Sequence, residues 1–430
     1  MTHPPALALY RAASRALAPA LSPWLALRAA AGKEDWARLG ERAGRASAPR
    51  PPGRLVWLHG ASVGELGVVL QVRAGLATRA PDLSFLVTTG TRTSAELFSR
   101  RAPDAIHQYA PLDRASAARR FLAHWRPSLG VFIESELWPN LAFEAQAAGV
   151  PLALVNARVS ERTIASWRRM RVSMRRVLAA FDPIIAADAR TADALRDVAG
   201  RDVVLAGNLK LAAAAPAFDA AALAALRSEI GDRPVWVASS THEGEEEILA
   251  AAHDLVRARA PNALLILAVR HPERGERVAA RLGSAPRRSR GEPIGAAPIY
   301  VVDTIGEMGL FYAAASVAFI AGSLRPDLRG HNPVEPAQLD AAILHGPYVS
   351  SFADVYEALS VAQATRRADT AHAIAHAVHD LWADEASRAA MTGAARRVVA
   401  QGGPSLEQTI DALCARLAFD SAGARAHAST

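Results

Sequence analysis

Short apolar runs alternate with segments of helical spacing along most of the chain. In the first half, residues 55–58, 84–88, 129–133, 152–155, 183–187 and 202–206 read as strands, with helical stretches between most of them. The first of those stretches carries Leu66, Val69, Leu70, Val72 and Leu76 at helical spacing. Such alternation predicts a doubly wound parallel sheet. The pattern lapses over 211–233, which is Ala-rich and has no strand signal. It then resumes with 235–238, 264–269, 299–302, 317–321 and 343–345. The expected fold is α/β, with two Rossmann-like domains facing a cleft. Their spans are 46–210 and 234–419, joined by a linker at 211–233. An N-terminal segment, 1–45, precedes them, and a small polar tail, 420–430, is expected to fray.

The N-terminal segment is mostly Ala and Leu over residues 6–31, interrupted by Arg11, Arg15, Arg28, Pro19 and Pro23. Its longest uncharged run, 16–27, is shorter than the about 20 apolar residues that a membrane-spanning helix needs. No small-residue cleavage site precedes a secreted domain, so a cleaved signal peptide is not expected. An Arg-flanked amphipathic helix lying at a membrane interface fits, and so does a plain packing helix. The 33–42 segment that follows is too charged for lipid and is expected at the surface.

Composition narrows the partners. The chain has 49 Lys and Arg against 42 Asp and Glu, a net charge of +7 and a pI near 10.1. That balance suits an anion such as nucleic acid, a phosphorylated lipid or a sugar nucleotide, although a GC-rich genome also favours Arg. One cysteine, Cys414, excludes an intrachain disulfide and a multi-Cys metal site, and is compatible with a reducing cytoplasm. His59, His242, His271 and His331 are scattered without paired spacing, so a metal site is not supported. Seven arginines lie between Arg158 and Arg176, interleaved with Trp167, Met170, Val172, Met174 and Val177. They fit a phosphate-bearing or membrane-surface partner, or a solvated helix face. No nucleic-acid motif accompanies them.

Candidate chemistry gathers where strands end. The run W-L-H-G-A-S-V-G-E at 57–65 is a strand-to-helix turn, a place where ligands of open α/β sheets bind. Only Gly60 and Gly64 are present and no Gly-Lys-Ser/Thr follows, which weakens dinucleotide and NTPase readings. Glu65 at its mouth is a candidate general base, or a carboxylate favoured there by the helix dipole. F-I-E-S-E-L-W-P-N at 132–140 offers Glu134 and Glu136 as acid and base, or as helix caps, the cap being favoured slightly for Glu136. Lys210, in G-N-L-K, either meets developing negative charge or is solvated. In the second half, S-S-T-H-E-G-E-E-E at 239–247 opens an acidic helix after a hydroxyl-rich turn, as a phosphate or carboxylate site would. R-H-P-E-R at 270–274 offers cations, and D-T-I-G-E-M follows at 303–308. G-H-N-P-V-E-P at 330–336 carries Glu335, which can hold ribose hydroxyls.

In this order the motifs H-x-x-S-V-G-E, E-S-E-L-W-P-N, N-A-R-V-S, G-N-L-K, S-S-T-H-E-G-E-E, R-H-P-E-R, D-T-I-G-E-M and H-N-P-V-E-P resemble the 3-deoxy-D-manno-octulosonic acid (Kdo) transferases of lipopolysaccharide assembly. The likeness runs from the N-terminal helix to about residue 400 and implies a GT-B fold. It further implies an acceptor-binding first domain and a second domain that binds CMP-Kdo. The reaction implied is inverting, metal-independent transfer of Kdo from CMP-Kdo to a lipid A precursor (lipid IVA). CMP-Kdo is then a donor substrate, and no cofactor or nucleic acid is implied. The setting is the cytoplasmic side of the inner membrane, with its anionic surface as a partner.

By the same resemblance, Glu65 is the base, and Glu134 and Lys210 stabilise the transition state. Arg270 and His271, Gly306, Glu307 and Met308, and Asn332, Pro333, Val334 and Glu335 hold CMP. The chain departs from the family at Arg329, where a second Gly is usual, and at 339–344, which lacks G-x-P. Both departures bear on fine donor contacts. Rival readings are another lipid- or sugar-nucleotide-directed GT-B enzyme, or an inactive membrane-surface binding protein.

Overall fold

A computed structural model describes residues 4–102 and 105–428. The chain divides into two compact units, one running to Ala212 and resuming at Gly402, the other comprising Ala213–Gln401. The first unit holds strands β1 (Leu55–Gly60), β2 (Ser84–Thr89), β3 (Ile106–Tyr109), β4 (Leu129–Ile133), β5 (Leu152–Ala157), β6 (Phe181–Ala186) and β7 (Val204–Leu205). They form one sheet in the order β3-β2-β1-β4-β5-β6-β7, parallel at every pairing. Leu55 and Trp57 face one apolar core and Val56 and Leu58 the other. Burial on both faces explains why these strands are continuous apolar runs rather than alternating ones.

The second unit holds β8 (Val235–Thr241), β9 (Leu264–Val269), β10 (Ile299–Val302), β11 (Val317–Ile320), β12 (Ala342–His345) and β13 (Thr365–Arg367). Their order is β10-β9-β8-β11-β12-β13, again parallel throughout. Strand order reverses between β1 and β4 in one unit and between β8 and β11 in the other. Open α/β sheets bind ligands at the C-terminal strand edge beside such reversals.

Two strands, β3 and β13, escape the sequence pattern. Both are short and carry polar residues: Ile106-His107-Gln108-Tyr109 and Thr365-Arg366-Arg367. Each lies at a sheet edge, where a full apolar run is not required.

The expected second-domain span, 234–419, also differs from the structure. The helix that starts at Gly402 belongs to the first unit, where Ile410, Leu413 and Leu417 enter the core beside Val56 and Leu66. Gly75 permits this approach, since a Cβ there would meet the Ile410 side chain at 2.8 Å. Within the expected linker, Leu211 and Ala212 belong to the first unit, whereas the helix Ala220–Ile230 belongs to the second. The expected fraying tail is helical to Ala428, and 429–430 lie outside the described residues.

The N-terminus is two helices, Pro5–Ala16 and Ala18–Ala30, rather than one. Leu7, Leu25 and Ala29 are buried, while Leu9, Leu17, Trp24 and Leu27 are exposed. Tyr10 donates to Asp113 at 2.7 Å and Arg11 pairs with Glu144 at 3.0 Å, fixing the first helix to the unit. Among the described residues, no helix is long and apolar enough to cross a membrane. In the 33–42 segment, expected at the surface, Lys33, Trp36, Ala37 and Gly40 are exposed but Glu34, Glu41 and Arg42 are buried. Mutual ion pairing explains the difference, because a charge leaves water only when partnered.

Candidate active site

The chain leaves β1 through Gly60 and enters the helix Val63–Arg79 with Ser62 as N-cap. Glu65 stands three residues on, the position a capping box uses, but its carboxylate reaches the Ala61 amide rather than the amide of Ser62 itself. Its Oε1 accepts from the Ser62 hydroxyl at 2.7 Å and its Oε2 from the Ala61 amide at 2.7 Å. The carboxylate therefore ties down the turn into the helix, which Ser62 caps, while sitting at the β1 sheet edge. Burial pushes it above the ordinary carboxylate range. Ser62 pulls it back, Glu134 pushes it further up, the Ala61 amide opposes, and Glu136 adds a smaller push.

Glu134 follows β4, across the strand-order reversal from Glu65. Its φ of 61° is left-handed, rare for a non-glycine residue and common at functional turns. Its Oε1 lies 2.7 Å from Lys210 Nζ. Two asparagines fix the lysine segment: Asn156 Oδ1 accepts from the Leu209 amide at 2.9 Å, and Asn208 Oδ1 from the Lys210 amide at 3.0 Å. The structure thus brings Glu65, Glu134 and Lys210 to one sheet edge, from positions up to 145 residues apart in the chain.

Glu136 does not cap the next helix, Pro139–Ala147. That task falls to Asp113, whose carboxylate accepts from the Asn140 and Leu141 amides at 3.2 and 2.8 Å. Glu136 lies 3.9 Å from Nε2 of buried His59, whose Nδ1 is 2.9 Å from the Thr88 hydroxyl. The part of His59 in this cluster is visible only in three dimensions, because Thr88 and Glu136 are remote in sequence.

In the second unit, Arg270 and His271 follow β9, Gly306, Glu307 and Met308 follow β10, and Asn332, Pro333, Val334 and Glu335 follow β11. All occupy one C-terminal sheet edge. Arg270 and His271 are exposed. The Glu307 carboxylate is held by Arg288, at 2.6 Å, and by the Thr304 hydroxyl, and the guanidinium keeps it below the ordinary carboxylate range. Asn332 Oδ1 accepts from the Val334 amide at 3.0 Å, folding the loop into the short helix Val334–Gln338. Pro333 and Val334 are buried; Glu335 is half-buried.

The turn after β8 differs from its expected use. Glu245 is fully buried and accepts from the amides of His242, Gly322 and Leu324 at 3.1, 2.8 and 3.0 Å. These amides, one from the turn and two from the loop after β11, are thus occupied by the protein's own carboxylate. His242 and His331 stack at 14° with their Nε2 atoms 2.8 Å apart. Burial first, then neighbouring His and Arg groups, lower them to about 4 and about 3. This pair, 89 residues apart in the chain, has no local sequence signal. Arg329, at the departure from the family pattern, adopts a φ of 64°. Among the described residues, no group of three or more His, Cys, Asp or Glu side chains is arranged to hold a metal ion.

Residues 37–213 match the family described as 3-deoxy-D-manno-octulosonic-acid transferase (kdotransferase). The 3-deoxy-D-manno-octulosonic acid transferase of Bordetella pertussis is 34% identical over 423 residues, covering 94% of this chain and 98% of the relative. This chain belongs to the Kdo transferase family. The Haemophilus influenzae Kdo transferase is 31% identical, covering 87% of this chain and 90% of its own length. Membership makes the chain a glycosyltransferase, and its two parallel-sheet domains are those of the GT-B class. The same architecture appears in the UDP-GlcNAc 2-epimerase of Neisseria meningitidis, solved with UDP-GlcNAc. That structure has a TM-score of 0.55 at 11% identity, covering 84% of this chain and all of that one. At that identity the likeness is one of fold.

Proposed function

We propose that this Kdo transferase moves Kdo from CMP-Kdo to a lipid A precursor, lipid IVA, in lipopolysaccharide biosynthesis. The observation that carries the reading is the buried Glu65 carboxylate at the β1 edge, beside the Glu134–Lys210 pair. The bond from the anomeric carbon of Kdo to the CMP phosphate oxygen breaks as an acceptor hydroxyl oxygen bonds to that carbon. The hydroxyl proton passes to Glu65, and CMP leaves with the electron pair of the broken carbon–oxygen bond on its phosphate. Attack opposite the leaving group inverts the anomeric configuration. Lys210, held by Glu134, offsets negative charge that grows during transfer. Arg270, His271, the 306–308 turn and the 332–335 loop bind CMP, whose charge is met by protein donors, without metal or cofactor.

The acceptor is a phosphorylated lipid, so the enzyme works at an anionic membrane surface, on the cytoplasmic side of the inner membrane. Leu9, Leu17, Trp24 and Leu27 present apolar side chains to solvent on the N-terminal helices, as Met170 and Val172 do in the arginine-rich stretch. Arg11 from the first helix and Arg176 from that stretch both approach the Phe143 ring, at 5.7 and 5.2 Å, so the two elements are neighbours. Apolar residues beside arginines suit shallow insertion into an anionic interface. The reading is tested by offering the protein CMP-Kdo or UDP-GlcNAc with lipid IVA. CMP release matched by a Kdo-bearing lipid in the mass spectrum is expected. Consumption of UDP-GlcNAc in place of CMP-Kdo would overturn it.

A further inference from the structure

The charged 33–42 segment has a use that its burial alone does not explain. Glu34 sits between two guanidiniums, with Oε1 3.1 Å from Arg28 Nε and Oε2 3.0 and 2.9 Å from Arg42 Nε and Nη2. The Arg42 guanidinium lies 4.7 Å from the Tyr109 ring centroid. It also donates to two main-chain carbonyls, Ala110 O at 3.2 Å and Gly90 O at 2.7 Å. Removing such a pair from water costs several kcal/mol per ion before its contacts offset the loss. An apolar core would hold the segment with less penalty.

The Gly90 carbonyl is the informative contact, because Gly90 touches the Glu65 turn. The Gly90 amide donates to Ala61 O at 3.1 Å. A Cβ on Gly90 would lie 3.0 Å from that oxygen and 3.3 Å from Ala61 Cα. The Ala61 amide in turn donates to Glu65 Oε2. A series of hydrogen bonds running through two residues, Gly90 and Ala61, therefore joins the buried Glu34–Arg42 pair to the Glu65 carboxylate.

We propose that Arg42, oriented by Glu34, is a positioning residue for Glu65: by fixing the Gly90 carbonyl it sets the Ala61 amide against the carboxylate. The proposal rests on the reading of Glu65 as the base. Groups acting on Glu65 come from its own turn and from the segment after β4. Ser62 and Ala61 in its own turn favour the ionised form. Glu134 and Glu136 after β4 oppose it, with Lys210 bound to Glu134 and His59 beside Glu136. Withdrawing the Ala61 amide removes one of the two donors that hold the ionised form. The carboxylate then protonates at higher pH, and the acid limb of the rate profile moves upward.

The test compares Arg42→Lys, Gly90→Ala and Glu65→Gln in the full chain, recording kcat/KM against pH with lipid IVA and the KM for CMP-Kdo. A lysine ammonium cannot span Glu34 and both carbonyls. The added methyl at Gly90 displaces Ala61 without removing any charge, so it decides the matter if Arg42→Lys does not fold. Loss of one hydrogen bond to a charged group predicts a fall of about tenfold on the acid limb. The deficit should shrink toward alkaline pH, with the KM for CMP-Kdo unchanged. A parental pH profile in a folded Gly90→Ala or Arg42→Lys protein overturns the role of Arg42 while leaving Glu65 as base. Parental turnover in Glu65→Gln removes the base itself, and the proposal with it.

Discussion

Replacing Glu65 by glutamine separates the two tasks that its carboxylate performs. The glutamine carbonyl oxygen can still accept from the Ala61 amide and its NH2 can donate to the Ser62 hydroxyl oxygen, replacing two contacts that are both 2.7 Å in length. What disappears is the ability to take a proton. Positioned general bases contribute about 10²–10⁴-fold, or about 3–5 kcal/mol of barrier. The variant is therefore expected to lose that much kcat while binding CMP as before.

Stability should move the other way. Burial is the largest influence on Glu65 and raises its folded pKa. Such a carboxylate weakens the fold as pH rises from its unfolded to its folded pKa, and the penalty is constant above that window. An uncharged glutamine escapes the penalty, so its melting temperature at pH 7 to 8 should exceed that of the parent, with the gap closing below pH 4. Glu65→Ala removes both hydrogen bonds of the side chain as well and should lose about 1–2 kcal/mol relative to Glu65→Gln. Calorimetry across pH, together with CMP release under saturating substrates, reads both effects. A glutamine variant with near-parental kcat, or one less stable than the alanine variant at pH 7, would refute the reasoning.

Arg329→Gly should raise the melting temperature by a few degrees, because a non-glycine residue at a φ of 64° costs about 1–3 kcal/mol; unchanged or lowered calorimetric stability would contradict this. Serine at Leu9, Leu17 and Leu27 should weaken sedimentation with anionic vesicles while leaving CMP titration unchanged, and parental sedimentation would assign the two N-terminal helices to packing alone. Charge reversal at Arg168 and Arg169 should raise the acceptor KM more than the donor KM, with salt diminishing the difference from the parent. Steady-state rates should persist in EDTA, and a strict requirement for magnesium or manganese would contradict the proposed handling of the CMP charge.

Much of the fold was legible because both sheets are buried on two faces, which leaves unbroken apolar runs in central strands, 55–58 in β1 and the whole of Leu264–Val269. Edge strands β3 and β13 were not, since they hold polar residues whose partners are remote. His107, for example, meets Arg38 and Thr89, and Gln108 accepts from Trp125. The return of the last helix to the first unit was hidden for a related reason. Amphipathic spacing at Ile410, Leu413 and Leu417 shows that a face is buried but not against what. Among the candidate site residues, Glu65, Glu134 and Lys210 were visible because each follows a strand-like run. The roles of Asp113, Glu245 and Arg42 depend on contacts 27 to 79 residues away, and no local spacing encodes those. Charge density misled at Glu34, Glu41 and Arg42, which pair with neighbouring charges instead of facing water, although Lys33 and Trp36 of the same segment are exposed.

The central claim, inverting transfer of Kdo with Glu65 as base, is tested most directly by NMR of the lipid product made from CMP-Kdo and lipid IVA. The account predicts a Kdo residue newly linked to the acceptor sugar, with an anomeric configuration opposite to that in CMP-Kdo. A product that retains the donor configuration, or CMP release without any Kdo-linked lipid, would contradict it.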